Sequence, residues 1–402
     1  MKQDIFSTAS MQHHANRNAA GAVAYPQSLR DDLNAQASAE AVREISSWRG
    51  YQPTPLASLD EIARAFGVGA IHYKDESSRF GLGSFKALGG AYAVLYLLQQ
   101  QIFADTGARV RGQELEAGRH RDRAARVTAV TATDGNHGRS VAWGASRFGC
   151  ACRIYIHAGV SEQRAEAMRA FGAEVIRIRG NYDESVRVAA ADAAEHGWHV
   201  VSDTSYPGYA ELPAKVMAGY SVMIEEIMRQ LPRDVALTHV FVQGGVGGLA
   251  AAVAASLWQR LCASRPRFVV VEPELADCLL QSAVNGRASE VQITRETIMA
   301  GLSCGEVSQL AWPVLAAAAD DFLAIADDLV GPVMRILARR APPIEAGESA
   351  VAGLAGCLAA CARKGLKSEL RLDRHSQVLV LGTEGATDRG IYDAIVNSPE
   401  VD

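Results

Sequence analysis

The sequence lacks the features that would commit a chain to a membrane, a secretory route or a nucleic acid. No run of apolar residues reaches the roughly 18 that a membrane helix needs, and the polar N-terminal segment has no apolar core typical of a signal peptide. The 402 residues include 40 basic and 45 acidic ones, a formal net charge of -5, so the chain as a whole is not attracted to phosphate backbones or anionic lipid. We therefore expect a cytoplasmic protein with neither a membrane nor a nucleic acid as partner.

Cysteine is scarce as well, and its spacing argues against two kinds of crosslink. The seven cysteines are an odd number without the short regular spacings of a secreted disulfide scaffold. Two close pairs occur, Cys150 with Cys152 and Cys357 with Cys361. Neither pair has histidines nearby that would complete a zinc site, and His137 lacks a second ligand at a suitable spacing. We interpret the cysteines as buried free thiols and expect no bound metal.

What the sequence does contain is an alternation of strand-length apolar runs with segments of helical period, which is typical of parallel βαβ units. A first series predicts strands at 127–131, 152–156, 175–178 and 199–202, and a second predicts strands at 238–242, 268–271 and 377–381. No proline-rich linker separates the two series. We therefore expect an α/β fold of two intertwined domains with open, twisted, mostly parallel sheets.

Lys86 closes a stretch that contains glycine and serine, residues 74–86, and opens a predicted helix. The positive end of a helix dipole favours the neutral form of a nearby lysine amine, which is a nucleophile. Such an amine forms an imine with an aldehyde and, once displaced, acts as a base. The alternative is an ordinary surface lysine in the first turn of a helix.

A second stretch, residues 131–138, joins a predicted strand to a helix, which is where α/β proteins bind ligands. The amide of Asn136 suits a phenolic oxygen on a ring, and the backbone N–H groups at the helix start suit a carboxylate. Asp134 is unusual in such a loop, because a carboxylate there needs a cation such as a substrate ammonium. The alternative role for Asp134 is to cap the helix.

A third stretch, residues 242–250, is a dense group of glycines between a strand and a helix. The backbone amides of such a loop and the dipole of the following helix form a cradle for phosphate. The stretch also matches the dinucleotide fingerprint G-x-G-x-x-A at Gly245, Gly247 and Ala250, with Glu272 as the ribose partner. Tight-turn glycines without any ligand are the remaining alternative.

A fourth stretch, residues 378–388, again runs from a strand through a glycine-containing loop into a helix. Thr383 stands at the end of the strand, where its hydroxyl suits a ring nitrogen that carries no full charge. Helix capping by Thr383 or Thr387 is the alternative.

Together these stretches resemble the fold-type-II pyridoxal phosphate enzymes over residues 51–388. Residues 84–86 are similar to the motif that binds the cofactor covalently, and residues 135–137 to the loop that contacts the ring. The resemblance implies pyridoxal 5'-phosphate as cofactor, a large cofactor-binding domain of residues 1–86 and 202–402, and a small inserted domain of residues 87–201. The cofactor-binding residues that it implies are Lys86, Asn136, Gly244, Gly245, Val246, Gly247, Gly248 and Thr383.

Within that group, five segments resemble the diaminopropionate ammonia-lyases: residues 74–92, 131–139, 203–209, 299–305 and 383–388. The resemblance implies α,β-elimination of D- and L-2,3-diaminopropionate, a small amino-acid substrate, to pyruvate and two ammonia through an aminoacrylate intermediate. It also implies Asp134 and Asp203 as active-site acids beside Lys86. We further expect a homodimer. The arginine-rich segment 119–126 is longer than the family's usual connection.

A mechanism that suits this resemblance needs two bases. Lys86 would remove the Cα proton from one face of the substrate, and Asp134 or Asp203 from the other, so that both enantiomers react. Among enzymes of this fold the alternative is a serine or threonine dehydratase. Two alternatives belong to other classes: a nicotinamide-dependent dehydrogenase, from the glycine fingerprint alone, and a non-catalytic amino-acid sensor.

Overall fold

The computed structural model describes residues 4–21, 23–31, 33–133 and 135–398. Contacts between residues divide the described chain into two compact units. The first unit combines residues within 1–34, 53–83 and 223–402, and the second combines residues within 35–52 and 84–222. Each unit is built on its own sheet.

Strands and helices alternate along most of the described chain. The strands are β1 (Met11–Ala15), β2 (Leu56–Ser58), β3 (Ala70–Asp75), β4 (Thr128–Ala132), β5 (Ala151–Ile156), β6 (Glu174–Arg177), β7 (His199–Val200), β8 (His239–Gln243), β9 (Arg267–Pro273), β10 (Asp321–Ile325) and β11 (Gln377–Gly382). The helices are α1 (Asp4–Thr8), α2 (Ala35–Ser46), α3 (Asp60–Phe66), α4 (Lys86–Thr106), α5 (Gly112–Glu116), α6 (Arg121–Ala124), α7 (Asn136–Phe148), α8 (Glu162–Arg169), α9 (Tyr182–His196), α10 (Glu211–Gln230), α11 (Gly248–Leu261), α12 (Cys278–Asn285), α13 (Ala311–Ala318), α14 (Val330–Arg339), α15 (Ala352–Ala362), α16 (Lys364–Glu369) and α17 (Arg389–Val396). Short 3-10 helices span Gln27–Leu29, Glu76–Gly81, Cys262–Ser264, Ala300–Leu302 and Asp327–Leu329.

The described residues of the first unit form a seven-stranded sheet in the order β1-β10-β9-β8-β11-β3-β2. The interior strands run parallel, and the edge strands β1 and β2 pair antiparallel with β10 and β3. The strand order reverses between β8 and β11, because β9 and β10 extend the sheet on one side and β3 on the other. Open α/β sheets bind ligands at the carboxyl ends of the strands at such a reversal.

Helix α15 packs directly on this sheet because glycines face it. A Cβ atom at Gly353 would lie 2.7 Å from the carbonyl oxygen of Phe241, and one at Gly356 would lie 2.9 Å from Val271. All residues of α15 from Ala352 to Cys361 are buried. The core of the first unit therefore forms where α15 closes over β8 and β9.

The described residues of the second unit form a four-stranded parallel sheet in the order β6-β5-β4-β7. Here the strand order reverses between β4 and β7. Helices α4 and α7 lie in close contact, because a Cβ atom at Gly144 would lie 2.7 Å from Cα of Ala91. A Cβ atom at Gly90 would lie 2.6 Å from Ser140 Oγ, so small residues are needed where these helices meet.

The predicted α/β class with mostly parallel sheets is confirmed. All seven predicted strands agree with the structure to within two residues at either end, although the strand predicted at 199–202 is only His199–Val200. Four strands were not predicted: β1, β2, β3 and β10. The edge strand β1 has the sequence Met-Gln-His-His-Ala and therefore no apolar run by which to recognise it.

The residue bounds of the two units differ from those of the predicted domains. Residues 35–52 belong to the second unit, where the ring of Trp48 lies 6.0 Å from that of Trp143 and 5.4 Å from that of Phe148. The second unit also extends to residue 222, because α10 packs on α4 so closely that a Cβ atom at Gly219 would lie 2.2 Å from the carbonyl oxygen of Leu88. The insertion of a small domain 87–201 into a larger one stays a prediction.

The cysteines carry free thiols, as expected, but they are not all buried. Cys152, Cys278, Cys357 and Cys361 are buried, whereas Cys262 is exposed. The expectation is wrong for Cys262 because that residue begins the turn at the end of α11. In the part of the chain that the structure describes, no helix is both long and apolar enough to cross a bilayer.

Four charged side chains are buried together in the first unit. Lys74, Glu76, Arg79 and Glu226 are each at most 2% exposed. Lys74 Nζ donates to Glu226 at 2.6 Å, and Arg79 donates to Glu76 and Glu226 at 2.8 Å. Burial raises the pKa of Glu226, but hydrogen bonds and charges from Arg79 and Lys74 outweigh it and lower the pKa. Two cations thus balance two carboxylates, as buried charges require.

Replacing Glu226 should destabilise the protein far more than replacing its neighbour on the same helix. Glu226→Ala leaves two buried cations short of one carboxylate, and we expect a loss of about 3–5 kcal/mol in the free energy of unfolding. The matched control Glu225→Ala removes ion pairs with the exposed Arg229 and Arg260 and should cost about 0–1 kcal/mol. Urea denaturation measures both losses, and equal losses would contradict the structural role of the cluster.

Candidate active site

Lys86 is the first residue of α4, in agreement with the predicted start of its helix. Two serines hold this start: Ser84 Oγ accepts the N–H of Lys86 at 3.3 Å, and Ser140 Oγ donates to the carbonyl of Lys86 at 2.6 Å. The side chain is 23% exposed, and its ammonium group forms an ion pair with Asp203. Lys86 therefore combines a fixed backbone with an amine that small molecules can reach.

Asp203 follows β7 and lies close to both Lys86 and His137. His137 Nε2 lies 2.9 Å from the carbonyl oxygen of Val201, which can only accept, so Nε2 carries the hydrogen. The other ring nitrogen, Nδ1, lies 3.9 Å from the carboxylate of Asp203. Burial raises the pKa of Asp203, but the charge of Lys86 outweighs it and holds the pKa well below the usual range. The carboxylate is therefore ionised beside a charged lysine.

Thr133 holds the loop that precedes α7. Its Oγ1 accepts the N–H groups of Gly135 and Gly138, each at 3.1 Å, and a Cβ atom at Gly138 would lie 2.3 Å from Thr133 Cγ2. Asn136 is the first residue of α7 and is partly buried. Asp134, the other residue predicted from this loop, lies outside the described residues.

The glycine loop joins β8 to α11 in the first unit. Gly245 and Gly247 have φ angles of +63° and +95°, which residues with a side chain rarely adopt. A Cβ atom at Gly244 would lie 2.5 Å from Cγ of Glu272. Since α11 begins at Gly248, the N–H groups of its first turn have no acceptor within the helix. Apart from the N–H of Gly244, which donates to the carbonyl of Val271 at 2.9 Å, the loop thus offers backbone amides with little side-chain bulk, as a phosphate site requires.

Glu272 does not fit the dinucleotide interpretation of this loop. Its carboxylate is fully buried and accepts the N–H groups of Leu279 and Leu280 at 2.9 and 2.8 Å, at the start of α12. Burial raises the pKa of Glu272 to about 8, against the effect of these donors. Because both carboxylate oxygens are used inside the protein, the predicted contact with a ribose is wrong.

Thr383 directly follows β11 and is 5% exposed. Gln243, the last residue of β8, is 1% exposed, and its Nε2 lies 3.3 Å from Thr383 Oγ1. The same nitrogen donates to the carbonyl groups of Ala350 and Leu381 at 2.8 and 2.7 Å. Sequence reasoning missed Gln243, although a polar residue at the carboxyl end of an apolar strand is a usable signal. It also missed His137 as a neighbour of Asp203, because it considered this histidine only as a metal ligand.

The predicted residues fall into two groups, one in each unit. In the second unit Lys86 is in contact with Asp203. Asn136 begins α7, the helix that follows β4, and β4 is the strand beside β7. In the first unit the glycine loop and Thr383 follow the adjacent strands β8 and β11. An amine, a cradle of amides and a hydroxyl are the groups that suit the aldehyde, the phosphate and the ring nitrogen of pyridoxal phosphate. The residues present therefore fit this cofactor.

Comparison with known proteins decides between the alternatives. The family model described as pyridoxal-phosphate dependent enzyme matches residues 48–382. The chain belongs to this family. The cofactor of this family member is pyridoxal phosphate, and the nicotinamide-dependent dehydrogenase is excluded.

Two relatives of this family member are enzymes of the same name from different bacteria. Diaminopropionate ammonia-lyase of Escherichia coli K12 is 39% identical over 375 residues, which cover 90% of this chain and 92% of that protein. The enzyme of the same name from Salmonella typhimurium LT2 is 37% identical over 376 residues, which cover 90% and 93%. The crystal structure of the E. coli enzyme in complex with D-serine matches with a TM-score of 0.88 and 35% identity over 97% of both chains. The structure of that enzyme with an aminoacrylate-PLP azomethine reaction intermediate matches over the same share of both chains, with a TM-score of 0.87 and 35% identity.

Replacing Lys86 should remove the covalent link to the cofactor without removing the phosphate cradle. We expect Lys86→Ala to lose the visible absorption of a lysine-bound cofactor and nearly all turnover, because neither the link nor the base remains. The matched control Lys215→Ala changes a lysine of the same unit whose Nζ lies over the ring of Tyr96, and it should keep the absorption. Borohydride trapping followed by peptide mapping checks the assignment, which is wrong if the Lys86→Ala protein still traps the cofactor on another lysine.

Proposed function

We propose that this family member is a diaminopropionate ammonia-lyase, which converts 2,3-diaminopropionate and water to pyruvate and two molecules of ammonia. The observation that carries the proposal is the contact between the Lys86 ammonium and the Asp203 carboxylate, in a chain 39% identical to an enzyme of that name. Elimination of an amine needs a base for the Cα proton and an acid for the leaving group. A lysine paired with an aspartate is suited to both tasks.

The chain's own residues would hold and orient the cofactor. Pyridoxal phosphate, when bound, supplies an aldehyde for amines and a ring that takes up the electron pair left at Cα. The Lys86 amine would hold the aldehyde carbon, and backbone amides of the loop 244–248 would hold the phosphate, except that of Gly244, which donates to the carbonyl of Val271 at 2.9 Å. Asn136 would contact the phenolic oxygen of the ring, and Thr383 would contact its nitrogen.

Lys86 would also move protons. Once the α-amine of the substrate displaces it from the cofactor, its amine is free to accept the Cα proton on its own side. The Asp203 carboxylate stabilises the ammonium that results. The β-amino group leaves only when it is protonated. The charged Lys86, which is in contact with Asp203, would donate that proton.

Asp203 would change its acidity with the charge of Lys86. While the lysine is charged, the pKa of Asp203 is held down and the carboxylate is ionised. When the lysine amine is neutral, nothing from the lysine opposes the effect of burial, so the pKa of Asp203 rises and the carboxyl group can hold a proton.

A serine or threonine dehydratase is the second candidate, which the D-serine complex of the E. coli relative favours. The family resemblance implies serine or alanine in dehydratases at the position of Asp134. A carboxylate at that position favours a substrate with a second ammonium group. We include a homodimer and a cytoplasmic location in the proposal, as expected from the sequence.

The direct test is product release from four substrates measured side by side. We expect the purified protein, loaded with pyridoxal phosphate, to release pyruvate from D- and L-diaminopropionate faster than from serine. Release of 2-oxobutyrate from threonine is the companion measurement. Faster turnover of serine or threonine would make the protein a dehydratase, and no turnover of any substrate would favour the amino-acid sensor.

Asp134 and Lys86 should be separable by the stereochemistry of the substrate. One base cannot reach the Cα protons of both enantiomers when the substrate is held in one orientation. We therefore expect Asp134→Asn to lower turnover of D-diaminopropionate by about 10² to 10⁴, the usual effect of losing a positioned base, and turnover of the L-isomer much less.

The matched variant for this comparison is Asp203→Asn, measured on both isomers. An equal loss for both isomers in Asp134→Asn would indicate that Asp134 anchors the substrate ammonium. No loss at all would leave Asp134 as a helix cap. A D-selective loss in Asp203→Asn instead would assign the second base to Asp203.

A further inference from the structure

Gln243 forms hydrogen bonds that have no role in the proposed reaction as described above. It ends β8 in the middle of the sheet and is 1% exposed. Its Nε2 lies 2.8 Å from the carbonyl oxygen of Ala350, 2.7 Å from that of Leu381 and 3.3 Å from Thr383 Oγ1. A buried amide with this many contacts is held in one orientation.

These contacts fix which end of the amide faces Thr383. Carbonyl oxygens only accept hydrogen bonds, so the NH₂ end, and not the oxygen, must face Ala350 and Leu381. Gln243 Oε1 is buried and has no hydrogen-bond partner among the described residues. A flip of the amide would place this oxygen against the carbonyl oxygens of Ala350 and Leu381 and is therefore unfavourable. Thr383 Oγ1 therefore meets an N–H group and accepts from it.

The direction of this hydrogen bond decides what the Thr383 hydroxyl can do on its other side. A hydroxyl has one hydrogen, and that hydrogen cannot point at an amide N–H. No described residue accepts it. The hydroxyl is thus left as a donor to a group outside the protein chain.

We propose that Gln243 is a positioning residue that fixes the Thr383 hydroxyl as a donor to the ring nitrogen of bound pyridoxal phosphate. A ring nitrogen that accepts this hydrogen bond carries no proton of its own. The inference rests on the proposed contact between Thr383 and the ring nitrogen. It adds that Gln243, which would not itself contact the cofactor, sets the direction of the Thr383 hydrogen bond.

A double-mutant cycle on cofactor affinity tests this without any substrate. The variants are Gln243→Met, Thr383→Val and the two together, each stripped of cofactor and titrated with pyridoxal phosphate. We expect Gln243→Met to weaken binding about 2- to 12-fold, the usual range for one hydrogen bond. In the Thr383→Val background the same change should weaken binding less than about 2-fold, because the hydroxyl through which it acts is gone.

Gln259→Met is the matched control. The Gln259 amide also donates to two backbone carbonyls, those of Leu33 at 3.2 Å and Ala255 at 3.1 Å, but it lies at the end of α11 far from the glycine loop. Loss of either glutamine leaves carbonyls unpaired and should lower the free energy of unfolding, which urea denaturation measures. Only Gln243→Met and Thr383→Val should weaken cofactor binding and shift the absorption band of the bound cofactor.

Equal weakening by Gln243→Met with and without the Thr383 hydroxyl would overturn the inference, and so would equal weakening in Gln259→Met. Unchanged affinity in Thr383→Val would also overturn it, because the hydroxyl would then not touch the cofactor. If Gln243→Met does not fold, Gln243→Asn keeps an amide but is one carbon shorter, and it should show the same dependence on Thr383. Failure of the proposed function is separate, because a protein that turns over serine instead of diaminopropionate still gives the same cycle.

Discussion

In each unit the polar groups of the candidate site depend on a reversal of strand order within a parallel sheet. At a reversal, the connections that leave two adjacent strands run to opposite faces, which opens a crevice at their carboxyl ends. In the second unit this happens between β4 and β7, whose ends lead to the Asn136 loop and to Asp203. In the first unit it happens between β8 and β11, whose ends lead to the glycine loop and to Thr383.

Three carboxylates, those of the buried Glu226 and Glu272 and of the partly buried Asp203, show how the surroundings decide the charge. Glu226 is met by two cations, and its pKa falls in spite of burial. Asp203 has one cation, Lys86, and stays ionised while that lysine is charged. Glu272 is met by two backbone amides and by the Cys278 thiol, and burial raises its pKa to about 8. The first carboxylate is enclosed with its cations in the core, whereas the second lies beside an amine that is partly exposed.

Much of the fold and several site segments follow from local sequence. The alternation of apolar runs with helical periods predicted the α/β class, and seven strands were placed to within two residues. Positions that combine a strand end, a glycine and a helix start identified Lys86, Asn136, the glycine loop and Thr383 as candidates. Prediction failed for the edge strands β1 and β2, which pair antiparallel, and also for the interior strands β3 and β10. It also failed for the role of Glu272, since a fingerprint of letters does not show what a carboxylate contacts.

The sequence by itself determined which chemical groups are present and at which ends of which elements they stand, because helix starts, strand ends and glycine turns are properties of neighbouring residues. Only the tertiary structure decided which of them meet. Asp203 contacts Lys86 across 117 positions of sequence, and Gln243 contacts Thr383 across 140. The second contact arises because β8 and β11, which are distant in the chain, lie side by side in a sheet. The first arises because the start of α4 lies against the segment that follows β7. Strand order depends on packing over the whole unit, which no local pattern of residues specifies.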